Sequence, residues 1–153
     1  MRAGRATVAT MTERKLVLAL LAALSASPAA ADPGKATLSW EALGQAGIVK
    51  KGDRFVPQYP KEVAALDSKE VRLQGFMMPL EVGGAQKRFL LSAQPTDCGY
   101  CVPGGPEQLV EVQAKVAVKY VTDPITVTGK FVLMRDDASG LFYRLTDATA
   151  SNK

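Results

Sequence analysis

Leu109 to Val118 reads LVEVQAKVAV, and Ile125 to Met134 reads ITVTGKFVLM. In both stretches apolar residues recur at every second position, the period of a strand with one buried face. Asp123-Pro124 marks a turn between them. Asp136 to Gly140 (DDASG) turns the chain again, and Leu141 to Thr146 (LFYRLT) predicts another strand with Leu141, Tyr143 and Leu145 on one face. Upstream, Val71, Leu73 and Phe76 alternate with Arg72 and Gln74. Gly75 interrupts that alternation, which predicts a bulge or bend at the glycine. Gly83-Gly84 is a hairpin signal, and Arg88 to Ser92 (RFLLS) completes a set of five strands.

No segment of helical length separates these strands, which argues against a parallel sheet with crossover helices. A five-stranded sheet must hide its edges, and closure into a barrel does so. Gly75 and Gly129 stand where a barrel strand needs to coil. The expected fold is mostly β: a small OB-like five-stranded antiparallel barrel over residues 71–147, with a β-sandwich as the alternative. Leu73, Phe89, Leu91, Val110, Val112, Val127, Phe131, Tyr143 and Leu145 should point inward. Residues 32–70 read as a helical and turn-rich extension. In it, a short helix is expected within Ala36 to Gly47, with Ser39 as N-cap, and a second within Tyr59 to Leu66. Ile48 to Pro60 reads as turns, and residues 148–153 as a tail.

Residues 1–31 read as a secretory leader. Glu13, Arg14 and Lys15 precede the apolar run Leu16 to Leu24 (LVLALLAAL), and Ala29-Ala30-Ala31 fits an A-x-A cleavage site. The run is too short to span a bilayer, which takes about 20 residues, so no membrane span is expected once the leader is cleaved. Met11 is as good a start as Met1. No cysteine follows the apolar run to carry a lipid anchor. Export to the periplasm is therefore expected, an oxidising space for Cys98 and Cys101.

Composition narrows the chemistry. The chain has 153 residues, a formal charge of +4 and no histidine, which excludes Ser-His-Asp and Cys-His catalysis and every His-ligated metal site. Two cysteines exclude a self-contained four-cysteine zinc site. Cleaving the leader removes Arg2, Arg5, Arg14 and Lys15 with Glu13, and takes the formal charge from +4 to +1. The adjacent basic pairs that remain, Lys50-Lys51 and Lys87-Arg88, are no nucleic-acid footprint, so no nucleic-acid partner is expected.

One loop concentrates unusual residues. Thr96 to Gln108 (TDCGYCVPGGPEQ) holds both cysteines, three glycines and two prolines. Ordering it costs backbone entropy, so it is stapled, functional, or both. Cys98 and Cys101 admit three readings: a structural disulfide, a soft-metal site for Zn(II) or Cu(I) completed by Asp97, Glu107 or a thioether, or thiol-disulfide exchange. Exchange favours a first cysteine at a helix N-terminus, and Pro103, Gly104, Gly105 and Pro106 forbid a helix there. As a binding surface the loop would present Asp97, Tyr100, Pro103, Pro106, Glu107 and Gln108. No acid-base carboxylate pair is evident, and no catalytic residue or resident cofactor is expected.

Gly75-Phe76-Met77-Met78-Pro79-Leu80-Glu81, then Phe89-Leu90-Leu91, then Cys98 with Pro103, Pro106, Gln108 and Val110-Glu111-Val112, together resemble the bacterial family labelled domain of unknown function 3299. The resemblance runs from about Trp40 to Thr146. It implies an exported small β-barrel, and a loose association with transporter components linked to metal uptake. The sequence departs from the family pattern in the loop: Tyr100-Cys101 stands where a histidine and an apolar residue are usual, and Glu107 replaces an asparagine. A Cys/His metal site of the family would here have to use Cys98 and Cys101. The expectation is a non-enzymatic periplasmic accessory or binding module that meets an envelope or transporter protein. The alternatives are a thiol-disulfide oxidoreductase and a metal chaperone.

Overall fold

The computed structural model describes residues 35–95 and 104–151. The leader and the loop residues Asp97, Cys98, Tyr100, Cys101 and Pro103 lie outside the described residues. The chain is mostly β, with strands β1 (Ala36–Thr37), β2 (Gly47–Lys51), β3 (Arg54–Gln58), β4 (Glu70–Pro79), β5 (Ala85–Ser92), β6 (Leu109–Lys119), β7 (Ile125–Leu133) and β8 (Tyr143–Ser151). Two four-residue helices, α1 (Trp40–Leu43) and α2 (Lys61–Ala64), sit in the N-terminal part.

β4 to β8 close into an OB-like barrel in the order β4-β5-β6-β8-β7 and back to β4. β4 makes the closure by changing partner along its length. Glu70–Gly75 pair with β7, and Phe76–Pro79 pair with β5. The change falls at Gly75, where a Cβ would stand 2.6 Å from the Ser92 carbonyl oxygen and 3.0 Å from the Trp40 ring. Val71, Leu73, Gly75 and Met77 are all buried, so the alternation runs through the glycine without a bulge. A residue with no side chain holds an inward position, and Phe76 faces outward. The expected bulge belongs instead to β8, where Asp147 and Ala148 together oppose Gly129 and Asp147 takes φ +52°.

The barrel is not antiparallel throughout: β6 and β8 run parallel, with Val110 opposite Tyr143 and Val112 opposite Leu145. The reason is arithmetic. A ring in which every neighbour reverses direction needs an even number of strands, so a closed ring of five must contain a parallel pair. β8 enters between β6 and β7 and supplies it.

All nine residues expected inward are buried. Phe131 stacks on Tyr143 with ring centroids 5.6 Å apart. The extension differs more from its reading. β2 and β3 form an antiparallel hairpin across Gly52-Asp53, where turns alone were expected. All five β2 residues are exposed, so no apolar period betrays the strand. Helix α1 does start at Ser39, whose hydroxyl accepts from the Ala42 amide at 3.2 Å. The last strand begins at Tyr143 and continues to Ser151, past the barrel end expected at 147.

Candidate binding cleft

The cysteine loop leaves the barrel between β5 and β6, and its stem is well tied. The Ser92 hydroxyl donates to the Gln94 carbonyl at 2.9 Å and accepts from the Gln94 amide at 3.2 Å. The Ala93 amide donates to the Gln108 carbonyl at 3.2 Å. Pro106, Glu107 and Gln108 form one 3-10 turn that runs directly into β6, preceded by Gly104 at φ +80°. Of the expected loop surface, these three residues are the described ones.

Pro106 lines a cleft that the sequence did not announce. One wall is the β2–β3 hairpin, with Ile48, Phe55, Val56 and Pro57. The opposite wall is the β7–β8 connection, with Met134, Leu141 and Phe142. The cleft is about 160 Å³ and mostly apolar. Phe55 is 73% exposed and Ile48 57% exposed, and both stand on the same wall of the cleft, so they form a patch rather than scattered exposed side chains. Phe142 is buried beneath them.

Tyr59 fixes the floor. Its hydroxyl lies 2.6 Å from the Met134 carbonyl and 3.0 Å from the Phe142 carbonyl, to which it donates, and its ring meets Phe142 edge-on at 6.3 Å. Burial pushes this phenol up to about 12, so it remains a donor at every physiological pH. The polar groups on the rim are already paired. Arg54 reaches Asp136 at 2.7 Å with both side chains exposed, a pair that orients the hairpin but stabilises little. The Ser139 hydroxyl donates to Asp137 and holds that carboxyl below the usual range. Asp67 accepts from the Leu133 amide at 3.1 Å and pairs with Arg135 at 3.5 Å.

A second feature lies on the outer barrel surface. Glu111 is 1% exposed, between Arg88 on β5 and Arg144 on β8; Arg144 Nε donates to it at 2.5 Å and Arg88 Nε to its other oxygen. Burial opposes its ionisation, but the two arginine hydrogen bonds outweigh burial and hold the carboxyl below its usual range. The sequence shows Glu111 only as an outward residue between two valines; its partners come from other strands. Gln86, also buried, pins the β4–β5 loop by accepting from the Leu80 and Glu81 amides at 3.0 and 3.1 Å.

Among the described residues no group of three or more His, Cys, Asp or Glu could hold a metal ion. No described helix is long and apolar enough to cross a membrane.

The model of a family described as a protein of unknown function (DUF3299) matches residues 28–149. The chain is also similar to the crystal structure of a DUF3299 family protein from Pseudomonas aeruginosa PAO1, at 20% sequence identity and a TM-score of 0.54. That match covers 78% of this chain and 98% of the other. It is a likeness of fold. No curated protein matches the chain.

Proposed function

Since the chain belongs to the DUF3299 family, whose function is unknown, we propose that it is an exported, non-enzymatic binding module that docks on an envelope protein, such as a transporter or metal-uptake component, through the hairpin cleft. The observation that carries this reading is Phe55, an exposed aromatic side chain facing a walled apolar cleft. An exposed aromatic on a braced frame is the usual anchor of a protein interface. At about 160 Å³ the cleft is smaller than the roughly 300 Å³ at which small-molecule sites begin. It suits one apolar side chain of a partner.

The leader-like sequence of residues 1–31 supports export to the periplasm. Among the described residues of the rim, Arg54 pairs with Asp136, Arg135 with Asp67 and Asp137 with Ser139, an arrangement that favours binding over catalysis. The sequence Pro103-Gly104-Gly105-Pro106 directly after the cysteines disfavours a helix there, which argues for a structural role of the cysteine pair over exchange.

The class is tested by insulin reduction beside a Zn(II) and Cu(I) titration of the reduced protein. The expected result is no turnover and no stoichiometric tight metal binding. Turnover lost in Cys98→Ser alone would make the protein an oxidoreductase. Tight binding lost in either Cys98→Ser or Cys101→Ser would make it a metal chaperone.

A further inference from the structure

The pairing of β6 with β8 stops early. Its last matched residues are Ala114 and Ala148, yet β6 continues to Lys119 and β8 to Ser151. Beyond that point each strand keeps its other neighbour: Val118 and Lys119 pair with β5, and Thr149 to Ser151 pair with β7. Toward each other, Lys115–Lys119 and Thr149–Ser151 have no ladder partner among the described residues. The gap between them is about 460 Å³.

Backbone groups in such a gap bond to water or to another strand. Natural proteins blunt such edges with charges, proline or a covering element. Here the gap is lined by Val116, Val118, Ala148 and Ala150, with Lys119 as its cation. Val118 and Ala150 rest against the core, and Val116 is 74% exposed. The β-branched valines suit a pleated strand, and the alanines leave room for an incoming side chain. Lys115 lines a different pocket, with Glu70, Asp147 and Lys130, so the cation that lines this gap is Lys119.

We propose that this gap is a peptide-binding slot. An extended segment of a partner protein adds as a strand between β6 and β8, with small apolar side chains inward at alternate positions and an acidic residue beside Lys119. Main-chain hydrogen bonds to two edges give affinity, and the Val and Ala floor with Lys119 gives selectivity. The slot is formed by other residues than the cleft, and the two sites are separable.

The test is backbone amide exchange on the full exported chain, with and without the capped peptide Glu-Val-Thr-Val-Thr-Val-Glu. In the free protein the amides of Lys115–Ala117 and Thr149–Ser151 that face the gap should exchange quickly. Peptide at about ten times its dissociation constant should slow them about tenfold, and leave Arg54–Pro57 in the cleft unchanged. Lys119→Glu should reverse the preference to a peptide with lysine at both ends. Phe55→Ser should leave the protection intact, so loss of the cleft reading does not remove this one. No slowing at these amides overturns the slot, as does equal slowing by a peptide N-methylated at alternate residues. A Lys119→Glu protein that still prefers the glutamate peptide overturns the acidic partner.

Discussion

The Tyr143 hydroxyl donates to the Leu43 carbonyl at 2.7 Å, joining the last barrel strand to helix α1 100 residues earlier in the chain. Both residues are fully buried. Burial raises the Tyr143 phenol far above its ordinary range, so the bond persists over the whole working pH. Tyr143→Phe removes this bond and leaves the Leu43 carbonyl with the Ala46 amide alone, at 3.1 Å, and should cost about 0.5–1.5 kcal/mol. Denaturant unfolding measures it, with an unchanged m-value expected because the core keeps its shape.

Phe131 tests the strand register. It faces inward opposite Leu145 and stacks on Tyr143. Phe131→Ala should destabilise by about 3–5 kcal/mol. A loss below half of that in the same unfolding experiment would place the ring at the surface.

Gly75 tests the closure of the barrel. A methyl there would meet the Ser92 carbonyl oxygen at 2.6 Å and the Leu91 side chain at 2.9 Å. The carbonyl belongs to a paired strand and cannot swing away. Gly75→Ala should therefore cost about 3 kcal/mol, the upper end for overpacking. Gly47→Ala, which meets nothing within 4 Å, is the matched control and should be near neutral.

Much of the barrel is legible in the sequence because its strands have one wet and one dry face. Val110, Val112, Val127, Phe131 and Leu145 announce that face directly. The parallel β6–β8 pair is not written in any local pattern; it follows from closing five strands, an odd number. The β2–β3 hairpin is silent because its first strand is exposed on both faces and carries no period. The cleft is silent for the same cause. Ile48 and Phe55 sit in a stretch that reads as turns, and the opposite wall comes from the far end of the chain. The cysteine loop stands out by composition alone. Its stem places Pro106 at the cleft, while Cys98 and Cys101 lie outside the described residues.

Glu111 sets an acid limit. Its folded-state carboxyl titrates below the unfolded value of about 4.3. The stability it contributes is thus fully present above that value and is lost as pH falls through the folded one. Glu111→Gln should cost about 1.5–3 kcal/mol near pH 7. Below about pH 4 the gap between variant and native protein should narrow. Thermal unfolding of both proteins across that window checks the sign; a gap that widens on acidification would contradict it.

The cleft is tested most directly inside the cell. A photo-crosslinking amino acid is placed at Phe55, whose 73% exposure makes the replacement tolerable to the fold. The expected result is one discrete adduct with an envelope protein, lost when Leu141→Asp is introduced into the facing wall and retained when Cys98 and Cys101 are both changed to Ser. No adduct from position 55, or an adduct indifferent to Leu141→Asp, would contradict docking through the cleft.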